Sequence, residues 1–117
     1  MKDYDRMLRV NELVKRELSE RIERDIAAEA KGLVTVTAVK VAPDLRSAHV
    51  MVSVLGAKEE TVLEMLERDR ADLQRALARN TSLKYTPILD FRIDRSLQKA
   101  DEVLDIIDEL DIDDNEQ

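Results

Sequence analysis

The sequence predicts one α+β domain, because helical and strand periodicities follow one another along a chain that is short for two domains. The chain has 117 residues, 44% of them hydrophobic, which suits a single core. Apolar residues recur at steps of three or four in two segments, as in amphipathic helices, and at steps of two in three further segments, as in strands. The predicted order is helix, strand, strand, helix, helix, strand, followed by an acidic end.

The first segment is predicted to be one helix that ends at Gly32, since glycine often follows the last helical residue. Its apolar stripe has steps of three or four and consists of Val10, Leu13, Val14, Leu18, Ile22 and Ile26. Arg9 and Arg16 are seven residues apart and therefore share a helix face away from this stripe.

Residues 33–55 are predicted to form a β-hairpin. The first strand is rich in β-branched residues, and its apolar register shifts by one position near residues 37–38, which indicates a β-bulge. A Pro-Asp pair at residues 43–44 suits a tight connection. The second strand alternates between two faces, with Ala48, Val50, Val52 and Val54 on one and His49, Met51 and Ser53 on the other.

The helical period returns from Lys58 to about Asn80, with its stripe at Val62, Leu66, Leu73 and Leu77. A charged stretch at residues 68–72 interrupts the stripe, which predicts a kink between two shorter helices. Residues 83–94 are predicted to be extended, with Pro87 at the start or the edge of the strand. We expect residues 1–97 to form the domain, and residues 98–117 to form a short acidic helix and a disordered tail.

Charge is distributed unevenly along the chain, whose net charge is -7. Nine of the 26 acidic residues lie in residues 101–117, which have no basic residue, so residues 1–100 carry 17 acidic and 19 basic side chains. Phosphate responds to charge within a Debye length of about 8–10 Å. The acidic overall charge therefore does not exclude a nucleic-acid partner.

Several function classes lack the residues that they need. The chain has no cysteine, one histidine (His49) and two glycines, which excludes thiol nucleophiles and disulfides and leaves no pair of histidines for a metal. No glycine-rich phosphate loop is present. We therefore expect no enzyme activity, no cofactor and no metal. Without an apolar run of membrane length or a signal peptide, we also expect a cytoplasmic protein and no membrane partner.

Basic side chains provide the candidate binding site. Arg68, Arg75 and Arg79 are spaced by seven and four residues, so on a continuous helix they form one ridge that could follow an RNA backbone. Further candidates for RNA contact are Arg70, Lys84, Arg92, Arg9 and Arg16. The alternative is an ordinary solvated face, which the interspersed aspartates favour. Tyr85 stands alone as an aromatic residue that could stack on a base, so the sequence predicts no stacking platform.

The order of elements resembles the type II KH domain, and three blocks resemble the bacterial ribosome-binding factor A family. The blocks are RVNELVKREL (residues 9–18), VTVTAVKVAPDLRSAHVMVSVLG (34–56) and LKYTPILDFRIDRSL (83–97). The resemblance implies an αββααβ fold with a mixed three-stranded sheet covered on one face by helices. It places a kink at Asp69, Arg70 and Ala71, where the family has Ala-x-Gly and this sequence differs at both marked positions.

The same resemblance implies a non-catalytic assembly factor. Its partners would be the small (30S) ribosomal subunit and its 16S rRNA, in late maturation near the 5′ end of that RNA, and it would support growth in the cold. Nothing in the sequence suggests an obligate dimer, so we expect a monomer. A competing hypothesis is a protein-interaction module whose acidic tail docks on a basic partner.

Overall fold

The alternation of helical and strand periodicity is reproduced in the structure, a computed structural model that describes residues 3–96. Its elements are α1 (Asp3–Arg21), a π-helical turn (Ile22–Ile26), α2 (Ala27–Ala30), β1 (Leu33–Val41), β2 (Ser47–Leu55), α3 (Glu59–Asn80) and β3 (Ile88–Ile93). The predicted acidic helix and tail at residues 98–117 lie outside the described residues.

The strands form one mixed sheet of three, in the order β1-β2-β3. β1 pairs with β2 in antiparallel register, and that register shifts between Val36 and Ala38, which confirms the predicted bulge. β2 pairs with β3 in parallel, with Val50 opposite Phe91. The structure therefore confirms the α+β class and the mixed three-stranded sheet.

The helices cover one face of the sheet, and the hydrophobic core lies between the helices and that face. The buried apolar residues that form it are Val14, Leu18, Ile22, Ile26, Val34, Val36, Val39, Val41, Ala48, Val50, Val52, Val54, Val62, Leu66, Leu73, Leu77, Leu89 and Phe91. Every inward position predicted for β2 and α3 is among them. The opposite face carries His49 and the exposed pair Leu33 and Leu55.

Side-chain oxygens from the helices complete the two outer edges of the sheet. The amide of Val36 in β1 donates to Oε2 of Glu23 at 3.0 Å, and the amide of Leu89 in β3 donates to Oε1 of Gln74 at 3.1 Å. Edge strands otherwise present unpaired backbone groups. These bonds therefore fix where the π-helical turn and α3 lie against the sheet.

The π-helical turn at Ile22–Ile26 replaces the regular helix that the sequence predicts. Val14, Leu18, Ile22 and Ile26 are all buried, although each lies four residues after the one before. In a regular α-helix three such steps rotate the side chain by about 120°, which would carry Ile26 off the core face. The wider turn absorbs this rotation.

The residue with left-handed backbone at the end of this helical segment is Lys31, with a φ of 59°, and not Gly32 as expected. Gly32 has a different role. A Cβ added there would lie 2.8 Å from the carbonyl oxygen of Leu55 and 2.9 Å from the Cβ of Ala57. Gly32 therefore allows the start of β1 and the end of β2 to approach closely.

Helix α3 is uninterrupted, which corrects the predicted kink at Asp69, Arg70 and Ala71. None of these residues is a helix breaker, and alanine, which stands where the family resemblance expects glycine, is the strongest helix former. Arg70 also pairs with Glu67, three residues earlier, which supports a continuous turn. One helix therefore joins β2 to β3, where the αββααβ order predicts two.

Strand β3 is shorter than the extended segment predicted for residues 83–94. Pro87, which is buried, immediately precedes its first residue, Ile88, as expected for a residue without an amide hydrogen. The preceding residues 81–87 form a loop that connects α3 to the strand. Within residues 3–96, no helix has the length and apolarity needed to cross a membrane.

Candidate nucleic-acid interface

Helix α3 turns its leucines inward and its arginines outward. Leu66 and Leu73 are buried, whereas Arg68, Arg75 and Arg79 are exposed. Because the helix is uninterrupted, the spacings of seven and four residues place the three arginines within about 40° of one another around its axis. The ridge predicted from spacing therefore exists as a geometrical feature of α3.

Carboxylates on both sides hold Arg68, the first arginine of the ridge. Its guanidinium donates to both carboxylate oxygens of Glu29 at 2.7 Å, and its Nε donates to Asp69 at 2.8 Å. These hydrogen bonds lower the pKa of the Glu29 carboxyl and that of the Asp69 carboxyl. Arg68 is therefore largely neutralised within the protein.

The other arginines of α3 differ in whether they form ion pairs within the protein. Arg70 pairs with Glu67, and Arg75 pairs with Asp72, each across three residues of the helix. Arg79 has no ion pair within the described part of the chain. Since an unpaired guanidinium loses no internal partner when it contacts an anion, Arg79 is the most available cation of the ridge.

A cleft of about 330 Å³ lies between the π-helical turn and the C-terminal half of α3. Its lining consists of Arg21, Asp25, Ile26, Asp69, Asp72, Leu73, Arg75 and Arg79. Each of the three aspartates is paired with an arginine next to it or one turn away. Arg21 and Arg79 have no ion pair among residues 3–96, so both can donate hydrogen bonds to a phosphate in the cleft.

The remaining predicted residues lie on three other parts of the surface. Lys84 is exposed in the loop before β3, and Arg9 and Arg16 are exposed on α1. Arg92 lies on the open face of the sheet, away from the helices, and pairs with Asp90 at 2.9 Å. The structure therefore brings the α3 arginines together and leaves Arg92 on the opposite side of the domain.

Arg21 is the one cleft arginine that the sequence analysis missed. On a regular helix Arg21 lies seven residues after Val14 and shares the face of that buried residue, directly before the π-helical turn that lines the cleft. A signal for that turn was present in the sequence, because apolar residues follow one another at three successive steps of four. Such a run indicates a turn wider than that of an α-helix.

The chemistry that these groups offer is anion binding. Guanidinium groups present a planar set of donors that matches the oxygens of a phosphate. His49 lies outside this region, half exposed on the open sheet face, with its Nδ1 2.9 Å from Oδ2 of Asp90. No group of three or more histidine, aspartate or glutamate side chains within residues 3–96 is arranged to hold a metal ion.

Comparison with known proteins points to one family. The sequence profile of the family described as "Ribosome-binding factor A" matches residues 6–107 of the chain. Among curated relatives, ribosome-binding factor A of Opitutus terrae is 40% identical over 109 residues, which cover 92% of this chain and 88% of that protein. The match therefore extends over nearly the whole of both proteins.

Solved structures agree with the sequence match. The crystal structure of ribosome-binding factor A from Thermus thermophilus superposes with a TM-score of 0.69 and 30% identity, over 77% of this chain and 98% of that chain. A homology model of the Thermus thermophilus factor, fitted into the cryo-EM map of its complex with the 30S subunit, gives a TM-score of 0.50 and 30% identity. That match covers 68% of this chain and 93% of the other.

Proposed function

The chain belongs to the ribosome-binding factor A family, and on that premise we propose that it binds the free small ribosomal subunit through 16S rRNA. Its action is binding without catalysis. It acts late in maturation of the subunit, around the processing of 16S rRNA near the 5′ end. The observation that carries this proposal is the Thermus thermophilus relative fitted into the map of a 30S complex, a protein 30% identical to this chain.

The cleft between the π-helical turn and α3 supports RNA as the molecule contacted on the subunit. Arg21 and Arg79 are free of internal ion pairs in the described part of the chain, and Arg75 lines the same cleft. Contacts to phosphate fix the position and orientation of a protein on nucleic acid without reading its sequence. A phosphate group at the cleft would therefore set how the domain sits on folded RNA.

Binding alone can promote maturation. If the protein binds one conformation of an immature RNA more tightly than others, it shifts the population toward that conformation by its difference in affinity. No bond is made or broken in this mechanism. Selectivity for the subunit would come from the shape of the RNA and from its unpaired segments, as is usual for proteins that bind structured RNA.

The test is co-sedimentation with purified free small subunits over a series of salt concentrations. We expect binding that weakens as salt rises, with each phosphate contact adding about 0.7–0.9 to the slope of log affinity against log salt. A variant with Arg21 and Arg79 both changed to glutamine should bind more weakly and show a shallower slope. As a matched control, Lys40 and Lys58, which are exposed elsewhere, are changed to glutamine together.

Two results would contradict the proposal. If the protein is absent from the subunit pellet at low salt, the proposal that it binds the subunit is wrong. If binding does not change with salt, the proposed contacts to phosphate are wrong. Capture of a basic protein in a pull-down without RNA, combined with no subunit binding, would favour the protein-interaction module.

A further inference from the structure

Two loops meet at the end of the sheet where β2 and β3 begin. The amide of Ile88 donates to the carbonyl oxygen of Arg46 at 3.0 Å, which joins the connection between β1 and β2 to the loop before β3. Leu45, just before Arg46, has a left-handed φ of 63°, and its amide donates to the carbonyl oxygen of Ala42 at 2.8 Å. The turn therefore holds the backbone of Arg46 in a defined place.

An exposed aromatic ring with two cations lies at this junction. The guanidinium carbon of Arg46 is 5.0 Å from the centroid of the Tyr85 ring, and the ammonium of Lys84 is 5.4 Å from it. Tyr85 remains 40% exposed, and neither cation has an ion pair among the described residues. From sequence, Tyr85 stands alone and predicts no stacking platform. The fold adds Arg46, which is distant from Tyr85 in the chain and lies over its ring.

We propose that Tyr85, Arg46 and Lys84 form a binding site for one unpaired nucleotide of RNA. The base stacks on the Tyr85 ring, and the two cations contact the phosphates on either side of that nucleotide. This combination of a π-face and adjacent cations is what single-stranded nucleic acid needs. The inference rests on the proposed function, because that function supplies RNA as the partner, and it adds a defined site for an unpaired segment.

The site suits a nucleotide better than an acidic peptide. A peptide carboxylate would pair with Arg46 and Lys84 but would leave the exposed Tyr85 ring without a partner. A nucleotide engages all three groups, because a cation displaced from the ring by the base moves to a phosphate that is attached to the same ligand. Cations over a ring interact with it by a modest electrostatic attraction, so the exchange of cation for base is feasible.

The site also connects with the arginine face of α3. A shallow cleft lined by Ala71, Gln74, Arg75, Ala78 and Thr86 runs between the helix and the loop that carries Tyr85. A single strand that contacts Arg75 can therefore continue along this cleft. The two regions form one path for RNA across the surface of the domain.

The chain itself provides a spectroscopic test. It has no tryptophan and two tyrosines, Tyr4 and Tyr85, so the Tyr4→Phe variant has Tyr85 as its only tyrosine. A stacked base quenches tyrosine emission. We expect saturable quenching when this variant is titrated with a single-stranded hexauridylate or hexaadenylate. We expect little quenching with poly-glutamate, which offers negative charge without bases.

Affinity measurements on the full chain complete the test. With a fluorescein-labelled hexanucleotide, Tyr85→Leu should weaken binding by about 5- to 150-fold, the range that one base stack supplies, while Tyr85→Phe should bind like the parent. Ile88→Ala, which alters a neighbouring exposed apolar residue, is the matched control. Circular dichroism melts verify that every variant is folded.

The outcomes separate this inference from the proposed function. Equal oligonucleotide affinity for Tyr85→Leu and the parent, or equal quenching by poly-glutamate and RNA, overturns the nucleotide site. If the parent protein still co-sediments with small subunits in that case, the proposed function stands without the site. If the parent protein does not co-sediment with small subunits, the proposed function itself is overturned.

Discussion

Arg68 and Glu29 form a two-point ion pair in which both nitrogen–oxygen distances are 2.7 Å. The pair joins α3 to α2 across 39 positions of the sequence. A guanidinium that already has both carboxylate oxygens of Glu29 as partners must give them up before it can bind phosphate equally well. Arg68 is therefore better placed to hold two helices together than to contact RNA.

The first prediction ranks single charge reversals on α3. Arg79→Glu should weaken binding to the small subunit by about fivefold or more, because it turns a free cation into a repelling charge. Arg68→Glu should change subunit binding less but lower the melting temperature, since a third carboxylate would then face Glu29 and Asp69. Co-sedimentation and thermal melts on both variants decide the ranking. Equal losses of binding would show that Arg68 contacts RNA directly.

The second prediction concerns acid stability. Hydrogen bonds from Arg68 lower the pKa of Glu29 and that of Asp69 in the folded protein. Between the lowered pKa values and the ordinary carboxyl pKa, the unfolded chain therefore binds more protons than the folded protein. The two carboxylates stabilise the folded protein fully above the ordinary pKa, and this contribution is lost as the pH falls through the lowered pKa values. In Arg68→Gln, urea unfolding should show a smaller loss of stability between about pH 6 and about pH 3 than in the parent.

A second variant tests whether the acid effect of Arg68→Gln comes from Glu29 and Asp69 alone. The pKa of Asp94 is also lowered, by hydrogen bonds from Ser96 and Thr37, and this contribution does not involve Arg68. Thr37→Val should therefore reduce the acid sensitivity independently of Arg68→Gln, and the two effects should add because the groups share no partner. An unchanged pH profile in Arg68→Gln would contradict the assignment.

The third prediction concerns single substitutions of the two residues at the end of the first helical segment, Lys31 and Gly32. Lys31→Gly should stabilise the protein by about 1 kcal/mol, because a left-handed backbone costs glycine little. Gly32→Ala should destabilise it, because the new Cβ would lie 2.8 Å from the carbonyl oxygen of Leu55. Urea unfolding of both variants provides the measurement. A stable Gly32→Ala variant would mean that the two strand ends can separate at little cost.

The same two residues show what the sequence could and could not predict. Local periodicity was sufficient for the strands, their bulge and the inward face of α3, because those features depend on neighbours in the chain. The role of Gly32 depends on Leu55, which is distant in sequence, and no local pattern reveals it. The predicted kink at Asp69, Arg70 and Ala71 failed because a gap in the apolar stripe does not break backbone hydrogen bonds.

The candidate site divides in the same way. Spacing along one helix correctly grouped the α3 arginines, since three positions on a regular helix have a fixed geometry. It could not show that Glu29 neutralises Arg68 or that Arg46 lies over Tyr85, because both relationships connect distant segments. It also missed Arg21, which lines the cleft together with Arg75 and Arg79 but lies on a different helix.

The fourth prediction concerns the acidic end of the chain. Residues 111–117 contain four carboxylates and one apolar side chain, Ile112, so their deletion should change the free energy of unfolding by no more than about 0.5 kcal/mol. RNA affinity should stay level or rise, because the deleted charges repel phosphate. Urea unfolding and subunit co-sedimentation of the truncated chain test both statements. A marked loss of subunit binding would favour docking of this end on a basic protein.

The fifth prediction separates surface from core on α3. Changing Arg68, Arg75 and Arg79 together to glutamate should strongly weaken subunit binding. The fold should survive with a lower melting temperature, because Arg68 loses its ion pair with Glu29, whereas the exposed changes at Arg75 and Arg79 usually alter stability by about 0.5 kcal/mol each. Leu73, which is 5% exposed, should behave in the opposite way. Leu73→Ala should cost about 2–5 kcal/mol of stability and affect binding only through unfolding.

A control with the same change in net charge makes this contrast decisive. Lys31, Lys40 and Lys58 are exposed and do not belong to the arginine ridge of α3, and their joint change to glutamate should weaken binding much less than reversal of the ridge. Equal weakening in the two triple variants would mean that net charge, and not the ridge, governs attraction to RNA. Unchanged binding after reversal of the ridge would direct the search for RNA contacts to the exposed cations of α1, Arg9 and Arg16, or to Lys84 and Arg92.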